Sequence, residues 1–213
     1  MTSDPRTKLL DAAVDYVVEH GLASLSLREL AAAIGTSHRM LIYHFGSKEG
    51  LVVAVVQAVE AAQLAQLDEL AADPEVPQGK AMRLMWERFT DPKMWPHERL
   101  FFEVYSQALQ GRPGTTGLLD NIVDSWVEPM ADYAVSRGVP RATARADARL
   151  AVAVCRGLLL DLLATGDRQA VDAAFNRYLA HISAISGPFT RNSAANGPKN
   201  AKGRAGAGTL RRR

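Results

Sequence analysis

The chain has 213 residues, of which 47% are hydrophobic and 23% are charged, and it contains one cysteine, Cys155. This composition is typical of a soluble globular protein with one sizeable core or two small ones, and a single cysteine excludes an internal disulfide. The longest apolar run, residues 150–163, is interrupted by Arg156 and Asp161, and the acidic N-terminus has no apolar signal core. We therefore expect a cytoplasmic protein with no membrane-spanning segment.

The net charge of +2 conceals an acidic body and a basic tail. Residues 188–213 carry seven Lys and Arg and no Asp or Glu, and removing these seven charges leaves −5 on residues 1–187. Affinity for nucleic acid must therefore come from a local patch. The tail has little apolar surface to bury, so we expect it to be disordered, either simply solvated or adding non-specific attraction to phosphates.

The first predicted helix begins at Asp4 and Pro5, a cap residue followed by a proline suited to the first helical position. Apolar residues then recur at helical spacing up to Val18, and Gly21 ends the pattern.

Residues 24–51 predict two short helices joined by a tight turn, followed by the start of a third. Ser26 and Glu29 have the spacing of a capping box at the start of the first short helix. Four apolar residues give that helix one buried face: Leu27, Leu30, Ala31 and Ile34. Gly35 supplies the left-handed conformation that ends it.

The second short helix has a cap at Ser37 and a buried side formed by Leu41 and Phe45, four residues apart. Its expected outer face is polar and cationic and consists of Ser37, His38, Arg39, Tyr43 and His44. Such a helix, held on an apolar scaffold helix, suits the major groove of DNA. His38 and Arg39 are the best candidates for reading base edges, because Arg can hold guanine through two parallel hydrogen bonds. The alternative is that these residues are only solvated caps and surface charges.

Residues 31–51, AAAIGTSHRMLIYHFGSKEGL, resemble the N-terminal module of the TetR (tetracycline-repressor) family of transcription regulators, and the resemblance covers about the first fifty residues. Many members have a Gly–Thr-like pair in place of Arg39 and Met40, so relatives do not predict the operator sequence. The DNA-binding residues that the resemblance implies are Ser26, Arg28, Ser37, His38, Arg39, Met40, Tyr43, His44 and Lys48. Among them, Tyr43, His44 and Lys48 are expected to grip phosphates, with Lys48 at a helix start that favours anions.

The remainder of the chain shows no strand-like alternation. Further helices are predicted over residues 47–72, 115–137 (kinked at Pro129), 141–164 and 167–187, with a loop at 111–114. We predict an all-α fold of about nine helices, with an N-terminal three-helix helix-turn-helix domain and a C-terminal helical ligand-binding and dimerisation domain. The expected bounds are 1–50 for the DNA-binding domain, 51–187 for the helical domain and 188–213 for the tail.

Large apolar side chains cluster beyond residue 81, and flexible Met and flat Trp side chains suit an adaptable apolar cavity. The resemblance implies a small-molecule pocket in this region, whose ligand weakens DNA binding; an ordinary packed core is the alternative. The candidate ligand-binding residues are Met82, Met85, Trp86, Phe89, Phe102, Tyr105, Trp126, Met130 and Arg156. Glu103, Arg156 and Asp161 lie in apolar stretches, where each could orient a ligand or form an internal ion pair. Cys155 is expected to fill core space.

The resemblance also implies a homodimer formed by the last two helices. A twofold dimer reads two half-sites about 34–36 Å apart, or a multiple of one turn. The five His residues show no metal-ligand spacing and no phosphate loop is present, so we expect no enzyme, metal or cofactor. We interpret the chain as a ligand-responsive DNA-binding regulator, a repressor on a palindromic operator released by a small, largely apolar molecule. The alternatives are an activator, or a helical binding protein or enzyme with a vestigial helix-turn-helix.

Overall fold

The computed structural model describes residues 4–20, 26–72 and 78–186, and within these ranges the chain forms helices and turns only. The described residues form nine α-helices: α1 (Pro5–His20), α2 (Leu27–Ala33), α3 (His38–Phe45), α4 (Lys48–Ala72), α5 (Gln78–Phe89), α6 (Trp95–Leu109), α7 (Asp124–Ser136), α8 (Arg141–Thr165) and α9 (Arg168–Ser186). Two 3₁₀-helices, Pro92–Met94 and Thr116–Leu118, precede and follow α6. The all-α prediction is confirmed.

Most helix bounds in the structure agree with those predicted from the sequence. The predictions for α4, α8 and α9 are correct to within two residues, and α1 begins at Pro5 as its cap predicts. The disordered tail predicted for 188–213, the helix end at Gly21 and the break after Ala72 fall on residues outside the described part of the chain.

The helix predicted over residues 115–137 is wrong in its first half, because α7 begins only at Asp124. Residues 116–118 form a single 3₁₀ turn, and turns continue to residue 123. Leu118 and Ile122 point into the core from this segment, and the Ile122 carbonyl accepts a hydrogen bond from Arg156 on α8. The segment is therefore shaped by its tertiary contacts and not by helical propensity. Pro129 lies inside α7.

The first hydrophobic cluster joins α1–α4 to the middle of the molecule. α1, α2 and α3 each bury one apolar face against the first half of α4, and α6 and the turn after it complete the cluster. Its buried members include Ala13, Leu30, Leu41, Phe45, Leu51, Val56, Phe101, Val104, Leu118 and Ile122. Residues of the helix-turn-helix thus share a core with α6.

Two further clusters stabilise the C-terminal helices. One packs α7 against α8 around Val127, Ala131 and Ala148, and the other packs α5 against α8 and α9. In the latter the rings of Trp86 and Phe175 stack with their centroids 4.4 Å apart. The cavity described below lies between these clusters.

α4 corrects the expectation that no apolar run is long enough to span a membrane. Its residues 48–70 are long and apolar enough by length and composition, with a mean hydropathy of 1.5 over the most apolar window. In the fold, α4 packs against α1, α3, α5, α6 and α7. This is the position of a central core helix, whose apolar residues are explained by contact with its neighbours.

Candidate nucleic-acid interface and ligand cavity

Short-range capping interactions position the α2–turn–α3 unit. The Ser26 hydroxyl accepts a hydrogen bond from the backbone N–H of Arg28, one residue short of the Glu29 that a capping box predicts. Gly35 adopts a left-handed φ of 70° after α2, as expected. The Ser37 hydroxyl then accepts from the N–H of Met40 and caps α3. These contacts set the direction of α3 within a few residues of the turn.

The outer face of α3 is exposed, as its sequence predicts. Leu41 and Phe45 are buried on the inner side, whereas the start of the helix is exposed at Ser37, His38, Arg39 and Met40. Tyr43 is 78% exposed and Met40 is 40% exposed, which is high for large apolar side chains. Arg28 on α2 is also exposed, and Ser26 is half-buried.

His44 differs from the expectation that its imidazole faces outward. The residue is half-buried, and its Nε2 atom is inaccessible and has no hydrogen-bond partner among the described residues. Its ring meets that of Tyr43 edge-on at 5.0 Å between centroids. In this conformation the imidazole Nε2 cannot reach a phosphate, because α3 turns that edge of the ring toward protein.

The junction between α3 and α4 is tightly packed. Gly46 takes a φ of 77°, and the Ser47 hydroxyl accepts from the N–H of Gly50, which caps α4. A Cβ atom at Gly50 would lie 2.2 Å from the carbonyl oxygen of Phe45, so only glycine fits there. Lys48 is exposed in the first turn of α4, where the N-terminal helix dipole also favours an anion.

Arg6 is a cation at this surface that the sequence analysis missed. Its Nε donates to the His44 carbonyl at 3.4 Å, and its guanidinium lies 5.1 Å from the centroid of the Phe45 ring. The N-terminus of α1 therefore lies beside the C-terminus of α3. Arg6 follows Pro5 in the first turn of α1, but only the packing of α1 against α3 reveals its proximity to the interface.

A cavity that is partly open to solvent lies among α4, α5, α6, α7 and α8. Eight of the nine predicted ligand-binding residues line it: Met82, Met85, Trp86, Phe89, Phe102, Trp126, Met130 and Arg156. The ninth, Tyr105, lies behind the wall, with its ring centroid 5.7 Å from the Arg156 guanidinium carbon. The lining residues that the sequence did not predict are Glu60, Gln63, Leu67, Glu98, Phe101, Ala151, Val152, Cys155 and Leu159. The largely apolar and aromatic lining, with a few polar groups, is typical of a small-molecule site.

Arg156 is held from several directions. It pairs with Glu60 at 3.8 Å, donates to the Ile122 carbonyl, and lies over the rings of Phe101 and Tyr105. The internal ion pair predicted for Arg156 is therefore present, and the same side chain also lines the cavity. Glu60 has a second partner, since the indole N–H of Trp126 donates to it at 2.7 Å.

The other two polar residues noted in apolar stretches do not reach the interior. Glu103 is exposed and accepts a hydrogen bond from Gln107 at 3.1 Å, one helical turn away. Asp161 is also exposed. Cys155 lines the cavity, and burial raises the pKa of its thiol to about 12, which fits the expected packing role.

Glu98 is the least compensated charged group in the cavity. It is 5% exposed, and burial together with the nearby Glu60 carboxylate raises its pKa to about 8. Gln63 and Arg156 act in the opposite direction, but more weakly. Burial also raises the pKa of Glu60, against the effects of Trp126 and Arg156. Next to Glu98 on α6, burial lowers the pKa of His97 to about 4.

The segment between α6 and α7 links this cavity to the helix-turn-helix. At one end Arg156 binds the carbonyl of Ile122. At the other end Gly114, with a φ of 82°, lies so close to the first turn of α4 that an added Cβ would be 3.0 Å from Cβ of Glu49. Between them the Gln57 amide of α4 donates to the Gly117 carbonyl at 3.5 Å.

Residues 9–55 match the model of the bacterial regulatory proteins of the tetR family. Similar folds occur in a TetR transcriptional regulator from Legionella pneumophila, 16% identical with a TM-score of 0.60 (85% of this chain and 98% of that one), and in a transcriptional regulator from a Rhodococcus species, 19% identical with a TM-score of 0.66 (85% and 97%). The multidrug-binding protein EbrR complexed with proflavin is 26% identical with a TM-score of 0.56 (82% and 99%). The N-terminal segment is thus similar to the TetR family, and the overall fold is shared with TetR regulators. No curated protein matches it.

These matches support a DNA-binding transcriptional regulator of the TetR type. The matched segment runs from α1 into the first third of α4 and contains α2, the turn and α3. Members of this family bind DNA, form dimers and respond to small-molecule effectors.

Proposed function

We propose that this TetR-family regulator is a homodimeric repressor, which binds an inverted-repeat operator and leaves it when a small molecule enters the cavity. The observation that carries the proposal is the combination of an exposed, cationic α3 face with a largely apolar, partly open cavity in the same chain. We assign base reading to His38 and Arg39 at the start of α3 and phosphate contact to Tyr43 and Lys48. The regulator acts in the cytoplasm, on the operators of its target genes.

The dimer is supported by an exposed apolar stripe on α8. Leu150 and Leu160 are 53% and 52% exposed, which is unusual for large apolar side chains on a long helix. They belong to a regularly spaced exposed set: Ala146, Leu150, Ala153, Gly157, Leu160 and Ala164. Exposed alanines on the neighbouring α9 extend this surface. A protein that binds an inverted repeat must be a twofold dimer, so a second copy of the chain would cover this surface. The small residues would let the α8–α9 pairs of the two copies approach closely.

A series of contacts connects the cavity with the recognition helix. Arg156 holds the segment between α6 and α7 through Ile122, and the same segment contacts the first turn of α4 at Glu49. A ligand that displaces Arg156 or moves α6 would therefore shift the start of α4, on which α3 is packed. The ligand favours release only by binding better to the released conformation. EbrR, similar in fold and bound to proflavin, supports a small organic molecule as effector.

The decisive experiment is selection of DNA bound by the purified full-length protein from a random-sequence pool. Enrichment of an inverted repeat with half-sites about one helical turn apart, or a multiple of it, would support a dimeric regulator. A reporter gene placed behind the selected site then separates repression from activation. No enrichment by a protein that is dimeric in solution would refute the DNA-binding proposal and favour a helical binding protein with a vestigial helix-turn-helix.

A further inference from the structure

We propose that the cavity binds a flat aromatic ligand that carries a positive charge, with the Glu98 carboxylate as the partner of that charge. The inference rests on the proposed ligand-responsive function and names the chemical class of the effector. Sequence composition favours a largely apolar ligand, and the charges in the cavity wall further require that this ligand carry one positive charge.

The charges in the cavity wall do not balance. Two carboxylates, Glu60 and Glu98, and one cation, Arg156, line it. Arg156 forms its ion pair with Glu60, and Glu60 also accepts from Trp126. Glu98 has no ion pair of its own among the residues that the structure describes. An isolated buried carboxylate is costly, so the site favours either a proton or an incoming cation at Glu98.

A second buried polar group, Gln63, lies in the same wall. Gln63 is 1% exposed, and its Nε2 atom has no hydrogen-bond partner within the described part of the chain. A buried amide donor without an acceptor is rare and destabilising. The Gln63 amide is close enough to lower the pKa of the Glu98 carboxyl, and it would donate more strongly to a carboxylate than to the neutral acid. A cation that keeps Glu98 ionised would thus also strengthen its contact with Gln63.

The rest of the wall suits the body of such a ligand. The rings of Trp86, Phe89, Phe101 and Trp126 line the cavity, and Phe89 and Trp126 already meet edge-on at 5.8 Å. Aromatic faces attract organic cations, and they stack on flat ring systems. An anionic ligand is disfavoured, because the only cation among the described lining residues is already paired.

Binding of a cation should release a proton. The charged and titratable groups that face Glu98 are Glu60 on α4 and Arg156 and Cys155 on α8, whereas α5 and α7 contribute only Met, Trp and Phe side chains to the wall. The pKa of Glu98, about 8, keeps the carboxyl protonated in the empty cavity at neutral pH. A cation stabilises the carboxylate, the proton leaves to solvent, and the net charge of the cavity is unchanged.

The test compares two probes of one ring system, the permanently charged N-methylacridinium and neutral acridine, titrated into the full-length protein without DNA. We expect N-methylacridinium to bind more tightly than acridine. Its affinity should rise roughly eightfold from about pH 7 to about pH 8.5, as expected when one proton with a pKa of about 8 is released. Acridine, which stays neutral in this range, should show no such rise.

Two variants on the same helix complete the test. Glu98→Gln is isosteric with the protonated acid and should fold, but it should lose both the preference for the cation and the pH dependence. Glu103→Gln is the matched control, since Glu103 is exposed and does not line the cavity. Thermal unfolding of both variants checks that they fold.

Equal binding of the two probes, binding of neither, or unaltered preference in Glu98→Gln would each overturn the inference. None of these results affects the DNA selection that tests the regulator itself. Conversely, a cation that binds as expected but leaves the protein on its selected operator would refute ligand-induced release, while the assignment of Glu98 would stand.

Discussion

Replacing Gly50 by alanine should displace the recognition helix from its scaffold. The new Cβ would lie 2.2 Å from the Phe45 carbonyl oxygen, whereas ordinary contacts begin at 3.4 Å, so the end of α3 must move by about 1 Å. The obstacle is backbone, which cannot turn aside as a side chain does. Overpacking of this kind costs about 1–3 kcal/mol, partly offset by the higher helix propensity of alanine. For a chain of this size the melting temperature should fall by about 2–10 °C.

The assay is thermal and urea unfolding at matched protein concentration, followed by titration of the selected operator. Gly117→Ala is the control, because a Cβ at Gly117 meets nothing within 4 Å and its φ is not left-handed. That variant should be neutral or slightly more stable. Since Arg39 lies on the displaced helix, Gly50→Ala should also lose more operator affinity than non-specific affinity. A Gly50→Ala protein as stable as wild type, with unchanged operator binding, would show that the α3–α4 contact is not what fixes the recognition helix.

Three further perturbations test other parts of the molecule. Arg39→Ala should reduce the binding free energy by about 1–3 kcal/mol through one or two base pairs, measured by competition between DNA sequences. Lys48→Ala should weaken binding to all DNA sequences alike and reduce the slope of log affinity against log salt concentration by about one. An unchanged sequence preference in Arg39→Ala would contradict the base-reading role. Leu160→Glu should convert the dimer to monomer in sedimentation experiments, and Leu109→Glu, at a more exposed leucine on α6, should not. A Leu160→Glu protein that remains dimeric would place the interface elsewhere. The folded pKa of Glu98 is raised from an ordinary 4.5 to about 8, so stability should fall as pH rises through this range, by at most about 1.4 kcal/mol per pH unit. Urea unfolding between about pH 6.5 and 8 should show this fall in wild type and a flatter profile in Glu98→Gln, and identical profiles would refute it.

The helix-turn-helix could be predicted from the sequence because its signals are local. Ser37, Gly35 and the Leu41–Phe45 pair act within one or two turns, and the caps and buried residues that they predict are present. The exceptions are tertiary. The buried edge of His44 depends on how α3 sits against its neighbours, and the turn before Asp124 depends on Arg156, 34 residues beyond the carbonyl that it binds.

The cavity was predictable in composition but not in its charges. Large Met and aromatic side chains mark its wall in the sequence, and eight of nine candidates line it. Glu103 was singled out on α6, yet the buried carboxylate is Glu98. Helical spacing partly predicts that Glu98 is buried, since it precedes Phe101 and Phe102 by three and four residues and lies on the same face of α6. Its proximity to Glu60, on another helix, follows only from the packing of α4 against α6.

The first hydrophobic cluster has a practical consequence for building chimaeric biosensors from this protein. Here Leu41 and Phe45 share one core with Phe101, Val104 and Leu118, so a cut near residue 50 would expose apolar surface on both fragments. A graft that carries α6 and the following turn along with α1–α4 keeps that core intact. Part of the cavity wall, including Glu98, is then transferred together with the DNA-binding helices. Effector specificity and operator specificity therefore cannot be exchanged independently.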